Sequence, residues 1–95
     1  MIKFISLLGN GTYIPCNYYL DNYKIEDCCY IQHAIVEILA KSNMCPDKLV
    51  IFTTKEAYKH NWINNNYNNE EKKRLSLKDE LEIFSKKNNC TIRNV

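Results

Sequence analysis

The sequence predicts an α/β fold: a mainly parallel sheet of about three strands, with a small β-hairpin, flanked by helices. Three observations predict it. Ile2 to Leu8 and Leu49 to Phe52 are apolar at nearly every position, as in strands of a parallel sheet that is covered on both faces. Segments with helical spacing alternate with these runs along the chain. The composition, 45% hydrophobic and 25% charged, is that of a globular protein. The 95 residues amount to a single domain, 1–95.

Each element has its own signal. The first strand ends at Gly9-Asn10-Gly11-Thr12, a turn by composition. Tyr13 to Ile25 holds two short runs of strand-forming residues around Asp21-Asn22, so it reads as a hairpin with Pro15 near its start. Cys28 to Lys41 reads as a helix, with Ile31, Ala34, Ile35, Ile38 and Leu39 on one face and Asp27 as its N-cap. After Leu49–Phe52, Thr53 and Glu56 stand at capping-box spacing, so a second helix is expected to run to about Trp62. Residues 63–74 are rich in asparagine, then charged, and read as a loop within the domain. Ser76 and Asp79 form another capping pattern, and Leu77, Leu81 and Phe84 mark one face of the helix that follows. Cys90 to Val95 alternates as a last strand.

Several function classes are excluded. A net charge of +2 is too small for a chain that coats duplex nucleic acid. No apolar run approaches the ~20 residues that span a bilayer, and the N-terminus lacks the layout of a signal peptide, so the expected location is the cytoplasm. The five cysteines, Cys16, Cys28, Cys29, Cys45 and Cys90, have no Cys-x-x-Cys spacing and read as free, mostly buried thiols, with no metal site. No catalytic arrangement is legible. No cysteine has a histidine at a motif distance; His33 reads as a partly buried structural histidine, Glu37 as solvated and Glu56 as a capping residue. Tyr18, Tyr19 and Tyr23 read as a hairpin face packed on the sheet.

A binding site is a better expectation than a catalytic one. Open parallel sheets bind ligands beyond the carboxyl ends of their strands. That edge should carry Gly9, Asn10, Gly11, Thr12 and Tyr13 after the first strand, and Thr53 and Thr54 after the second. Glycines let the backbone approach a ligand and present N–H groups to it. The threonines add hydroxyls at a helix N-terminus, and Tyr13 offers a ring to stack on a base. The turn is neither a dinucleotide fingerprint, since the third glycine position is Ile14, nor a Walker A loop.

These residues carry a resemblance. Phe4-Ile5-Ser6-Leu7-Leu8-Gly9-Asn10-Gly11-Thr12-Tyr13 with Cys16-Asn17-Tyr18-Tyr19, then Ile31-Gln32-His33-Ala34-Ile35-Val36, then Phe52-Thr53-Thr54-Lys55-Glu56-Ala57 and Asn61-Trp62, together resemble the N-terminal part of CRISPR-associated Rossmann-fold (CARF) domains in accessory proteins of type III CRISPR systems. The resemblance is good over residues 2–62 and loose afterward. It implies a Rossmann-like sheet of which this chain holds about the first half, a homodimer, and sensing of a cyclic oligoadenylate messenger through Gly9–Tyr13, Thr53 and Thr54. It implies no cofactor and no membrane. The Asp-x-Thr-His-like segment and the Arg-x-x-x-x-His ribonuclease motif found in such proteins do not occur in this sequence. A small interaction or dimerisation module without nucleotide binding is the alternative.

Overall fold

A computed structural model describes residues 1–95. Its elements are β1 Lys3–Leu8, β2 Cys16–Leu20, β3 Tyr23–Cys28, α1 Ile31–Lys41, β4 Lys48–Thr53, α2 Lys55–Ala57, α3 Leu77–Asn88 and β5 Thr91–Asn94. α2 runs on into a π-helical turn, Tyr58–Trp62. β1, β4 and β5 form a parallel sheet in the order β1-β4-β5, and β2 and β3 form a separate antiparallel pair. The chain steps across the sheet in one direction, so crossovers of one hand leave α1 and α3 on the same face.

The core lies between that face and the two helices. Leu8, Leu49 and Ile51 from the sheet meet Val36 of α1, Leu77, Leu81 and Phe84 of α3, and Trp62. The stripe Leu77-Leu81-Phe84 is buried as its spacing requires. Ser76 caps α3 by accepting from the Asp79 N–H at 3.2 Å. Asn89, in the left-handed region with φ 54, ends it.

Several of the sequence-based expectations need correction. α1 starts at Ile31, not Cys28, and its N-cap is Tyr30, which makes no side-chain capping bond. Asp27 instead sits with φ 51 where the register of β2 and β3 is irregular, its N–H bonded to Asn17 Oδ1 at 2.9 Å. A short polar side chain tolerates that conformation, and strand pairing to Cys28 uses residues assigned to the helix by composition.

The cap of α2 slips by one residue: Thr54, not Thr53, accepts from the Ala57 N–H at 3.1 Å, and Glu56 takes no part. The reason is register, because Thr53 is the last residue of β4 and pairs with Leu8. The hairpin strands start at Cys16 and end at Cys28, leaving Pro15 outside the ladder. The hairpin packs on α1, with Tyr18, Tyr19 and Leu20 facing Ile31, Ala34 and Ile35, and not on the sheet. Finally, β1 is buried on one face only: Ile5 and Leu7 are exposed, as is Phe52 of β4.

Candidate functional site

The carboxyl ends of β1 and β4 enclose a crevice of about 360 Å³, lined by Leu7, Leu8, Gly9, Phe52, Thr53 and Thr54. Three of the residues singled out from the sequence, Gly9, Thr53 and Thr54, therefore share one cavity. Parallel pairing causes this, since Leu8 stands opposite Thr53 and both strands end there. Thr53 Oγ1 accepts from Asn94 Nδ2 at 3.2 Å, and Thr54 Oγ1 accepts from Ala57. Each hydroxyl thus keeps its own proton to donate. The α-helical part of α2 is only three residues long, so its dipole adds little.

Asn10, Gly11, Thr12 and Tyr13 border the crevice without lining it. The turn they form is shaped by a residue fifty positions away. Asn61, fully buried on the π-helical turn, donates from Nδ2 to the carbonyls of Gly9 at 2.9 Å and Gly11 at 2.7 Å. Its Oδ1 accepts from the Tyr30 hydroxyl at 3.2 Å. The π turn, closed by the Ile63 N–H on the Tyr58 carbonyl, aims Asn61 inward. With the carbonyls of Gly9 and Gly11 held inward, the N–H groups of Asn10, Gly11 and Thr12 make no hydrogen bond within the protein.

Neither glycine adopts a positive φ. Gly9 is required by close approach: its N–H donates to the Tyr13 hydroxyl at 2.9 Å, and a Cβ there would lie 3.2 Å from the same oxygen. Around Gly11 there is open space. Tyr13 also receives Gln32 Nε2 at 3.4 Å and packs on Tyr30 with ring centroids 5.1 Å apart. The ring expected to stack on a base is thus already engaged on one side by the protein.

The asparagine-rich loop is bound down by its own side chains. Asn66 donates to Thr12 Oγ1 at 3.0 Å, and His60 Nδ1 meets Asn10 Oδ1 at 2.7 Å. Asn65 Nδ2 donates to the Leu75 carbonyl, and Asn68 brackets Arg74 through both its amide atoms. The loop itself forms a polar cleft of about 300 Å³, lined by His60, Lys73 and five asparagines between Asn64 and Asn69. Composition marked the loop but gave no sign that it would close over the glycine turn. Asn61 and Gln32 entered the resemblance as helix residues, with no sign in the sequence that their amides reach this edge of the sheet.

A second cluster joins residues that sequence spacing kept apart. His33 Nδ1 lies 3.3 Å from Glu80 Oε1 and 3.8 Å from Cys28 Sγ, and its Nε2 lies 3.7 Å from Glu37 Oε1. Glu37 is half-buried in this ion pair, not solvated. Burial alone would lower the His33 pKa; the contacts with Cys28 and Glu80 outweigh it and raise the pKa to about 10. The Cys28 thiol is buried and donates to the Tyr30 carbonyl at 3.2 Å; the cluster ties β3, α1 and α3 together, and none of its side chains lines the crevice. All five cysteines are free thiols, and no group of side chains has the makings of a metal site.

Fold and crevice together define an α/β protein with a Rossmann-like parallel sheet and a cavity beyond its strand ends. Comparison with protein-family models, with curated proteins and with solved structures finds no match to this chain. No helix is long and apolar enough to cross a membrane.

Proposed function

We propose that the chain is a nucleotide-sensing domain whose ligand is a cyclic oligoadenylate, held at the carboxyl edge of the sheet and shared across a homodimer. The observation that carries the reading is the turn at Gly9–Thr12. Its three unengaged N–H groups stand beside a crevice that holds Gly9, Thr53 and Thr54. Unpaired backbone N–H groups in a turn suit phosphate oxygens, and threonine hydroxyls suit a ribose or a base edge. The resemblance of the turn and its neighbours to CARF domains supports the choice of ligand. The proposed role is binding, with no chemical step.

Titration calorimetry of the protein with cyclic oligoadenylates of different ring sizes tests this. One ring size is expected to bind, and Gly11→Trp to abolish binding with the circular dichroism spectrum unchanged, because Gly11 faces open space. Failure of every ring to bind the folded protein overturns the ligand assignment. A second reading, a protein-interaction module, is favoured by one separate observation: the sheet face away from the helices is apolar and uncovered.

A further inference from the structure

Parallel sheets are normally covered on both faces. Here α1 and α3 cover one face, and nothing covers the other. By strand alternation the open face carries Lys3, Ile5 and Leu7 from β1, Lys48, Val50 and Phe52 from β4, and Thr91 and Arg93 from β5, continued by Val95. Ile5 is 61% exposed, Leu7 75%, Phe52 39% and Val95 50%. These are large apolar side chains in contiguous register: Ile5 lies opposite Val50, and Leu7 opposite Phe52.

The face is polarised. Leu7, Phe52 and Val95 lie toward the carboxyl edge. Lys3 and Lys48 lie opposite each other at the amino edge, and Arg93 lies beside Val50. None of the three cations forms an ion pair. No strand of the sheet contains an acidic residue. The acid next to it in sequence, Asp47, already accepts from the Ile2 N–H at 2.8 Å.

Charge and area choose between occupants. Three strands about 4.8 Å apart and about 20 Å long make a face of roughly 300 Å². A second copy docked face to face would bring two sets of cations into one interface, and the strands of the sheet hold no acidic side chain to pair with them, which opposes association. One helix laid on the sheet suits it better: at about 10–12 Å across it covers most of the face, and it can bring carboxylates to the cations.

We propose that the open face of the sheet docks a single amphipathic helix from another protein, with its apolar stripe on Ile5, Leu7, Val50 and Phe52 and acidic residues over Lys3, Lys48 and Arg93. The docked helix completes a helix–sheet–helix layering. Leu7 and Phe52 also line the crevice, so the bound helix abuts the candidate ligand site. The inference does not depend on what that site binds.

Two synthetic helical peptides test it. Both carry the same leucine stripe; one has glutamates at one end and the other has lysines there. Amide chemical shifts of the ¹⁵N-labelled protein are followed during titration. The acidic peptide is expected to shift Ile5, Leu7, Val50 and Phe52 and to bind at least tenfold more tightly than the basic one, with binding weakened by salt. Leu7→Asp, at an exposed position, is expected to weaken it at least tenfold while leaving the rest of the spectrum in place. Equal affinity for the two peptides, binding of neither, or shifts confined to the hairpin groove at Tyr19 and Ile35 overturns the proposal. So does a wild-type dimer in sedimentation that Leu7→Asp converts to monomer, which would assign the face to a second copy.

Discussion

The side-chain amide of Asn61 donates to the carbonyl oxygen of Gly11 at 2.7 Å, across fifty residues of chain. This bond, with its twin to Gly9, decides which way the turn after β1 faces. A buried amide whose oxygen and nitrogen are both used is a fixed part of the architecture, because each lost partner leaves a desolvated polar group behind.

Asn61→Ala is therefore expected to destabilise the protein by about 2–4 kcal/mol, since it takes the donor from the carbonyls of Gly9 and Gly11 and leaves the Tyr30 hydroxyl only the Asn64 carbonyl. Asn61→Asp is expected to do at least as much harm, because it sets a carboxylate against those carbonyls. Urea unfolding measures both. A loss below about 1 kcal/mol for the alanine variant would mean that water replaces the amide and that the turn is not held by Asn61.

Gly9 and Gly11 are expected to respond differently to the same change. Gly9→Ala forces a Cβ to within 3.2 Å of the Tyr13 hydroxyl and disturbs the bond between Gly9 and Tyr13. A cost of about 1 kcal/mol follows, with a changed fluorescence or proton spectrum at Tyr13. Gly11→Ala meets nothing within 4 Å and should leave stability within about 0.5 kcal/mol. Equal costs would contradict the geometry of the turn.

His33 predicts how stability varies with pH. Its folded-state pKa, about 10, lies above the unfolded value of about 6.5. The folded chain therefore holds a proton that the unfolded chain releases between those values. The stabilisation is complete below about pH 6.5 and is lost as the pH rises toward 10. Glu80, Glu37 and Cys28 are the groups that face the ring. In His33→Gln the fall in the urea midpoint over this window should flatten. Parallel slopes in the two proteins would show that the ion pairs of His33 do not contribute.

Much of the fold was legible in the sequence because local physics specifies it. The apolar runs at Ile2–Leu8 and Leu49–Phe52 form neighbouring parallel strands, and the stripe Leu77-Leu81-Phe84 with its Ser76 cap forms α3. Where two local signals competed, long-range pairing chose. Asp27 had the composition of a helix cap, but the pairing of Cys16 with Cys28 drew it into the hairpin. Thr53 had capping-box spacing, but its place opposite Leu8 in the sheet passed the cap to Thr54.

The site was legible to the extent that it follows from strand ends. The sequence by itself determined that Gly9, Thr53 and Thr54 would share the carboxyl edge, because parallel strands of similar length end together. Only the tertiary structure decided that Asn61 turns the carbonyls of that loop inward, that the asparagine loop lies over it, and that His33 joins Cys28, Glu37 and Glu80. It also decided that Ile5, Leu7 and Phe52 face outward. An apolar strand looks the same whether one of its faces or both are covered; which face stays bare depends on the side to which the crossover helices pass. That is a property of the whole chain path and is written in no single segment.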